Sequence, residues 1–211
     1  QYGSMALAYI SRAVTGIPDR VAWRRMHTTI VENGGFPAIV QILGNFPENV
    51  EVQWKGLEAL HMLTKYRKLA GVLSQQNGVD AAISAIAEIC LKEDVDETEN
   101  KKKKTMFKDG VEVEVPAAKT GKKKPLKKVD PRARVLEEAL QTLVRIAFDS
   151  KDARDTISEN NGVAAAVACM RLAGGNKDIH HYGAFLIGQL CADNKGNQEL
   201  CFEEDACEVI V

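Results

Sequence analysis

Hydrophobic residues recur at helical spacing along most of this chain. A helix is predicted to begin at Pro47, because the apolar residues that follow are three or four residues apart and so share one face: Val50, Trp54, Leu57, Leu60 and Leu63. Two further helical segments, 20–33 and 36–43, precede it and are separated by a pair of glycines at which the backbone can turn. The pattern therefore predicts a unit of three helices.

This unit is repeated along the chain. One ten-residue pattern occurs four times, at 31–40, 74–83, 158–167 and 202–211. Its anchor positions, which are separated by 43, 84 and 44 residues, are Gly35, Gly78, Gly162 and Ala206. A period in the forties is typical of stacked helical units. The middle gap, about twice as long, contains either a degenerate extra repeat or one repeat with an insertion.

A second recurring motif decides between these alternatives. It is a nonamer that opens with a small residue, has aliphatic residues at its fifth and eighth places, and begins at Gly56, Ala139 and Gly183. The distance from the anchor glycine to the eighth place is 28 residues in the first and last units and 68 in the middle one. The middle unit is therefore one repeat with 40 inserted residues, located by composition at about 92–130. Asp130 is predicted to be the N-cap of the next helix.

The repeated blocks resemble armadillo repeats. The resemblance rests on Gly-Gly-Phe-Pro-Ala-Ile-Val at 34–40, on Ala-Leu-x-x-Leu-x-x-Ile-Ala at 139–147 and on the period, and it covers about 160 residues. HEAT repeats are the close alternative, and three helices with a glycine break favour armadillo. The resemblance implies an all-α fold, a right-handed α–α superhelix with a Lys-rich insertion between helices of its middle repeat.

The predicted domain organisation follows from these boundaries. Residues 1–5 are interpreted as a cloning remnant and 6–211 as an armadillo repeat domain. The domain divides into a partial repeat, a full repeat, a repeat split by the flexible basic insertion, another full repeat and the start of a further one: 6–33, 34–76, 77–160, 161–204 and 205–211. The pattern is compatible with a piece of a longer solenoid.

The charge of the chain is unevenly distributed. Residues 92–134 contain 14 Lys and Arg against 9 Asp and Glu, while the rest of the chain contains 14 against 20. The near-neutral total of −1 thus conceals an acidic body with a basic appendage. The acidic body argues against nucleic-acid binding along the repeats. No run approaches the roughly 18 apolar residues of a membrane helix.

The insert has features of its own. Asp109-Gly110, followed by alternating valines at 111–115, indicates a small hairpin. A lysine cluster resembles a classical nuclear localisation signal and consists of Lys122, Lys123, Lys124, Lys127 and Lys128. The alternatives are a solvated loop, an anionic-lipid or nucleic-acid contact, and a segment that folds back onto the acidic repeats.

The resemblance also indicates a binding groove, lined by the third helices. In the family, a Trp and an Asn at the third and seventh places of the nonamer hold an extended peptide, and this chain lacks that ladder. The absence disfavours importin-alpha-like cargo binding and favours side-chain recognition of a folded or helical partner, as in beta-catenin-like proteins. Trp54 is either an anchor or part of the core. The predicted groove residues are Trp54, Glu58, Met62, Gln141, Arg145, His181, Phe185 and Gln189.

Catalytic patterns are weak in this sequence. The four histidines have no metal-ligand spacing with one another or with a cysteine pair, and the adjacent His180 and His181 point about 100° apart on a helix. No metal, cofactor, nucleophile or small-molecule substrate is predicted. The five cysteines are interpreted as buried thiols of a reducing compartment, with a disulfide or redox role as the alternative.

Two functional hypotheses remain from the sequence. The first is a non-enzymatic scaffold or adaptor that binds a protein partner, either a peptide or a helix, in the concave groove of a cytoplasmic armadillo solenoid. The second is a nuclear transport or membrane-associated adaptor in which the basic insert is a localisation signal or an anionic-ligand contact. Deletion of 93–129 distinguishes them.

Overall fold

The computed structural model describes residues 20–90, 130–148 and 150–210. Within these ranges all regular structure is helical, which confirms the predicted all-α class. The predicted hairpin and the lysine cluster of the insert lie outside the described residues. We number the helices α1 (Arg20–Glu32), α2 (Gly35–Asn45), α3 (Val50–Leu63), α4 (Arg67–Gln75), α5 (78–90), α6 (Pro131–Ala147), α7 (Lys151–Glu159), α8 (Gly162–Ala173), α9 (Lys177–Cys191), α10 (Lys195–Glu203) and α11 (Ala206–Ile210).

The helix boundaries recur in step with the sequence period. Each anchor residue begins a helix, and the residue before each anchor has a left-handed backbone. The φ angles are 82°, 59°, 62° and 48° for Gly34, Asn77, Asn161 and Asp205 respectively. Gly, Asn and Asp are the residue types that adopt this conformation most readily. The recurring pair, Gly, Asn or Asp followed by the anchor residue, is therefore a sharp corner between two helices.

The anchor glycines have a steric role at the same corners. A Cβ atom on Gly162 would lie 2.3 Å from Cγ2 and 2.7 Å from the carbonyl oxygen of Ile157, at the end of the preceding helix. Gly35 and Gly78 stand in the same relation to the residue five positions earlier. At these three corners the space is too tight for a Cβ atom, which accounts for the glycine; the fourth anchor is Ala206.

The long third helix of each unit begins at a side-chain cap. Asn49 accepts a hydrogen bond from the Val52 amide (3.1 Å), Asp130 accepts one from Arg132 (2.9 Å), and Asn176 caps α9 in the same way. The prediction for Asp130 is confirmed. The predicted start at Pro47 is wrong by three residues, because the cap is Asn49 and α3 begins at Val50.

The three capped helices pack in series. α3 packs on α6, and α6 packs on α9. In addition, α2 packs against α3, and α8 packs against α9. The small residue at the first place of the nonamer lets these helices approach closely. A Cβ on Gly56 of α3 would lie 2.5 Å from Leu43 Cδ2 of α2, and one on Gly183 of α9 would lie 2.8 Å from Met170 Cγ of α8. One apolar cluster runs through the described helices from Val31 to Ala206.

Among the described residues, no helix combines the length and the apolar character that a bilayer crossing requires.

Candidate functional site

The eight predicted groove residues lie on three helices that are packed side by side. None of them is buried: His181 and Phe185 are exposed and the other six are partly exposed. We call the surface that they form on α3, α6 and α9 the three-helix face. Its residues recur four positions apart on each helix, so they project from one side of that helix.

The contacts between α3 and α6 establish how the two helices run. Arg134, early in α6, lies over the ring of Trp54, early in α3, with 4.5 Å from Cζ to the ring centroid. One turn further along α6, Glu138 Oε2 lies 2.8 Å from His61 Nδ1, late in α3. Because both contacts advance together along the chain, the two helices run in the same direction.

Trp54 is enclosed between cations. Lys55 Nζ lies 3.6 Å from its ring centroid, and the guanidinium of Arg134 approaches it from α6. The ring also packs against the apolar core. Lys55 is itself held by Glu58, whose Oε2 lies 2.8 Å from Nζ. Trp54 therefore joins the two helices through cation–π contacts and presents little open ring surface to a ligand.

A row of exposed aromatic rings crosses the boundary between α6 and α9. Phe148, at the end of α6, stacks on Phe185 with ring centroids 5.7 Å apart, and His181 stacks on Phe185 at 6.3 Å. Phe148 and Phe185 are 52% and 41% exposed, although large apolar side chains are usually buried in a folded protein. We call these three residues the aromatic row.

Two cations, Arg145 and Lys65, lie close enough to repel each other, and Arg145 is three residues before Phe148 on α6. Partial burial lowers the pKa of Arg145, an effect that the neighbouring Tyr182 opposes. Partial loss of hydration around the Lys65 ammonium group, followed by repulsion from Arg145, lowers the pKa of Lys65, against the attraction of Glu138 and Glu58. The repulsion between Arg145 and Lys65 indicates that the two positive charges are near each other. We call the two side chains the cationic pair, and its Arg145 lies one helical turn before Phe148.

The remaining predicted residues complete the face with amide and thioether groups. Gln141 Nε2 donates a hydrogen bond to Glu137 Oε1 at 3.1 Å, and Met62 is partly exposed on α3. Gln189 is partly exposed on α9, but its Oε1 atom is buried and lacks a hydrogen-bond partner among the described residues.

Several residues of this surface were not indicated by the sequence. Phe148 follows the last helical residue of α6, so helical periodicity does not assign it to a face. Lys65 and Tyr182 occupy no place that a repeat comparison singles out. Their contribution depends on the packing of α3, α6 and α9 against one another, which one sequence does not specify.

A separate pocket of about 410 Å³ lies between α2, α3 and α5. Its lining combines apolar residues such as Leu43 and Ala85 with the carboxylates of Asp80 and Glu88. It contains none of the predicted groove residues, and sequence periodicity did not indicate it.

The described residues contain no group of three or more His, Cys, Asp and Glu side chains arranged to hold a metal ion. The cysteines differ from the predicted buried thiols: Cys169 is buried, Cys207 is exposed, and Cys90, Cys191 and Cys201 are partly exposed.

No family model, curated protein or solved structure matched this chain in the comparisons.

Proposed function

We propose that this protein is a non-catalytic interaction scaffold of the armadillo-repeat type, which binds a peptide or helix of another protein on the three-helix face. The armadillo assignment is supported by three-helix units whose corners, caps and close contacts recur with the sequence period. The binding assignment is supported by the chemistry of the face itself.

The observation that carries the proposal is the exposed aromatic row, with Arg145 one helical turn before its Phe148. Stacked rings of Phe148 and Phe185 offer apolar area at low cost in conformational entropy, because both side chains are already ordered against each other. Arg145 and Lys65 add charge that a partner's carboxylate would neutralise. Aromatic and arginine side chains provide much of the binding energy in protein interfaces.

The proposed partner segment therefore combines an apolar or aromatic residue with acidic residues. Its apolar side chain would contact Phe185, and its carboxylate would approach Arg145. The enclosed Trp54 would contribute to the shape of the face and less to direct contact, since Lys55 and Arg134 cover its ring.

The test is selection from a random peptide library displayed on phage, followed by calorimetric titration of the selected peptides. We expect the peptides to be enriched in acidic and aromatic residues. The double variant Phe185→Ala, Arg145→Ala should bind them at least about tenfold more weakly, since truncation of two central contacts typically costs more than ~1.4 kcal/mol.

Phe202→Ala is the matched control. Phe202 is 82% exposed and lies on α10, outside the three-helix face. Its truncation removes the same phenyl group as Phe185→Ala does, but from outside the proposed binding face. It should leave the affinity for the peptides unchanged. Equal affinity of the double variant and the wild type, with both proteins folded by circular dichroism, would contradict the proposed binding face.

A further inference from the structure

Two cysteine thiols meet where α9 is followed by α10. Cys191 Sγ and Cys201 Sγ are 3.2 Å apart, and both residues are partly exposed. A disulfide bond has a length of about 2.05 Å, so the two sulfurs need to approach by only about 1 Å. A separation of this size is within the reach of small side-chain rotations.

The two helices are held together beside the thiols. Asn197, on α10, is buried, and its Nδ2 donates to the carbonyl oxygen of Leu190 and to Ser158 Oγ, both at 2.7 Å. The Cys191 thiol donates to the carbonyl oxygen of Asn197 at 3.6 Å. These bonds fix α10 against the last turn of α9, so each thiol has the other at a high effective concentration.

We propose that Cys191 and Cys201 are a redox-modifiable pair that forms an intramolecular disulfide by exchange with a small-molecule disulfide. This inference is independent of the proposed binding function. Cys191 gives its proton to water, and its thiolate attacks one sulfur of the small-molecule disulfide. The S–S bond of the small molecule breaks, and each departing thiolate, here and in the next step, takes up a proton from water. Cys201 then gives its proton to water and attacks the sulfur of Cys191, and the second thiolate leaves. Two protein thiols become one disulfide, and the two electrons reduce the small molecule to two thiols.

The order of attack follows from the surroundings of Cys201. Burial, together with its hydrogen bond to Cys191, raises the pKa of Cys201 to about 12. Because the thiolate is the nucleophile, Cys201 is the poorer first attacker and the natural resolving residue. Resolution requires loss of its proton, so the second step should accelerate with rising pH.

The other cysteines provide an internal comparison. Cys169 is fully buried, and burial raises its pKa well above the ordinary value, so it should stay reduced. Cys207 is exposed and near enough to Cys201 to influence its charge. It is the competing partner that the experiment has to exclude.

The experiment uses the whole chain incubated with oxidised glutathione, quenched with an alkylating agent and analysed by mass spectrometry. We expect a species that has lost two hydrogen atoms, with the tryptic peptides on either side of Lys195 joined. The same species should form in Cys207→Ser. Cys201→Ser should instead retain one glutathione on Cys191.

Cys201 and Cys207 lie in one tryptic peptide, 196–211, so fragmentation of the joined peptides in the mass spectrometer identifies the bonded cysteine. With this step the wild-type chain decides the matter even if a variant folds poorly, and a Cys191–Cys207 bond would overturn the proposal. Stable glutathione adducts on both Cys191 and Cys201, a Cys201–Cys207 disulfide, or unmodified thiols after exhaustive incubation would each overturn the proposal. The native chain should also favour the Cys191–Cys201 pair over other pairings more strongly than the chain in concentrated urea, because only the folded state positions the sulfurs.

Discussion

Single residues define the corners between the helices. Asn161 adopts the left-handed backbone conformation of the turn, and Gly162, which lacks a Cβ atom, leaves room for Ile157. The two adjacent residues therefore meet two different steric requirements of the corner. Glycine at the anchors was apparent from the sequence as a helix break. The role of the preceding Asn or Asp was not, since these residue types occur equally well in exposed turns and helix caps.

Substitution of Gly162 by Ala should destabilise the protein by about 1–3 kcal/mol, because the added Cβ meets both the side chain and the backbone of Ile157. Gly188→Ala is the matched control, since Gly188 lies within α9 with no atom within 4 Å of an added Cβ. That substitution should stabilise by about 0.5–1 kcal/mol. Urea denaturation of the three proteins measures both effects, and equal shifts would contradict the steric role of the anchor.

His27 makes stability depend on pH. Its side chain is fully buried, neither ring nitrogen has a hydrogen-bond partner among the described residues, and burial with the nearby Lys65 lowers its pKa from 6.5 to about 4. Between these values the unfolded chain binds more protons than the folded chain. The free energy of unfolding should therefore fall as the pH falls from 6.5 to 4, by up to about 3 kcal/mol from this residue.

The measurement compares urea denaturation across this pH range in the wild type, in His27→Leu and in His181→Gln. His27→Leu should lose less stability on acidification, because it lacks the titrating group. His181 is exposed, so its substitution should leave the pH dependence of the wild type in place. Parallel curves for the wild type and His27→Leu would refute the assignment.

Helix ends are joined by buried side-chain amides. Gln53 of α3 is only 4% exposed, and its Nε2 donates to the carbonyl oxygens of Leu43 (2.8 Å) and Phe46 (3.0 Å) at the end of α2. Asn197 of α10 caps the end of α9 in a similar way. Both amides donate to carbonyl groups at a helix end, where intrahelical donors are lacking. The carbonyl oxygens of Leu43 and Phe46 also accept longer bonds from backbone amides, at 3.4 Å and 3.2 Å.

Gln53→Leu should cost about 1–3 kcal/mol, because it removes the shorter of two hydrogen bonds to each carbonyl group in a buried setting. Gln198→Leu is a suitable comparison, since Gln198 also donates to the end of a helix, at Cys191, but is exposed to water that replaces the bond. Its loss should be within about 0.5 kcal/mol. Thermal unfolding of both variants measures the two losses of stability. The two losses should be equal if burial of the amide is unimportant.

The sequence predicted to a large extent which segments are helical. It did not predict the residues at which the helices begin and end. Apolar spacing and the glycine breaks located α2 and α3, and Asp130 with its following proline located α6. The start of α3 was misplaced because a proline is a frequent first-turn residue, whereas Asn49 provides the actual cap. A polar residue such as Gln53 carries no sequence signal that it is buried.

The apolar core is continuous across the described helices. α6 contacts both α3 and α9, and its Leu136, Leu140 and Leu143 are fully buried. A disturbance at one end of this core should therefore reach the other end. Sequence repetition predicted the helices of each unit but did not specify the contacts by which one unit rests on the next, and the aromatic row depends on those contacts.

Leu186→Ala should test this continuity. Leu186 is fully buried on α9, so its truncation should cost about 2–5 kcal/mol. We expect amide hydrogen exchange to accelerate in α3 as well as in α9. Leu200→Ala, at a 39% exposed position on α10, should leave α3 unchanged. If the amides of α3 exchange as slowly in Leu186→Ala as in the wild type, α3 and α9 belong to separate folding units.

The position of Trp54 has an optical consequence. Its indole contacts Arg134 of α6, which is 80 residues further along the chain, and so lies at the joint between α3 and α6. Indole emission is sensitive to nearby charge and to water, so withdrawal of the guanidinium should alter its wavelength and intensity. The protein thus has a native fluorophore at that joint, and a Trp23→Phe background would isolate its signal without a foreign dye.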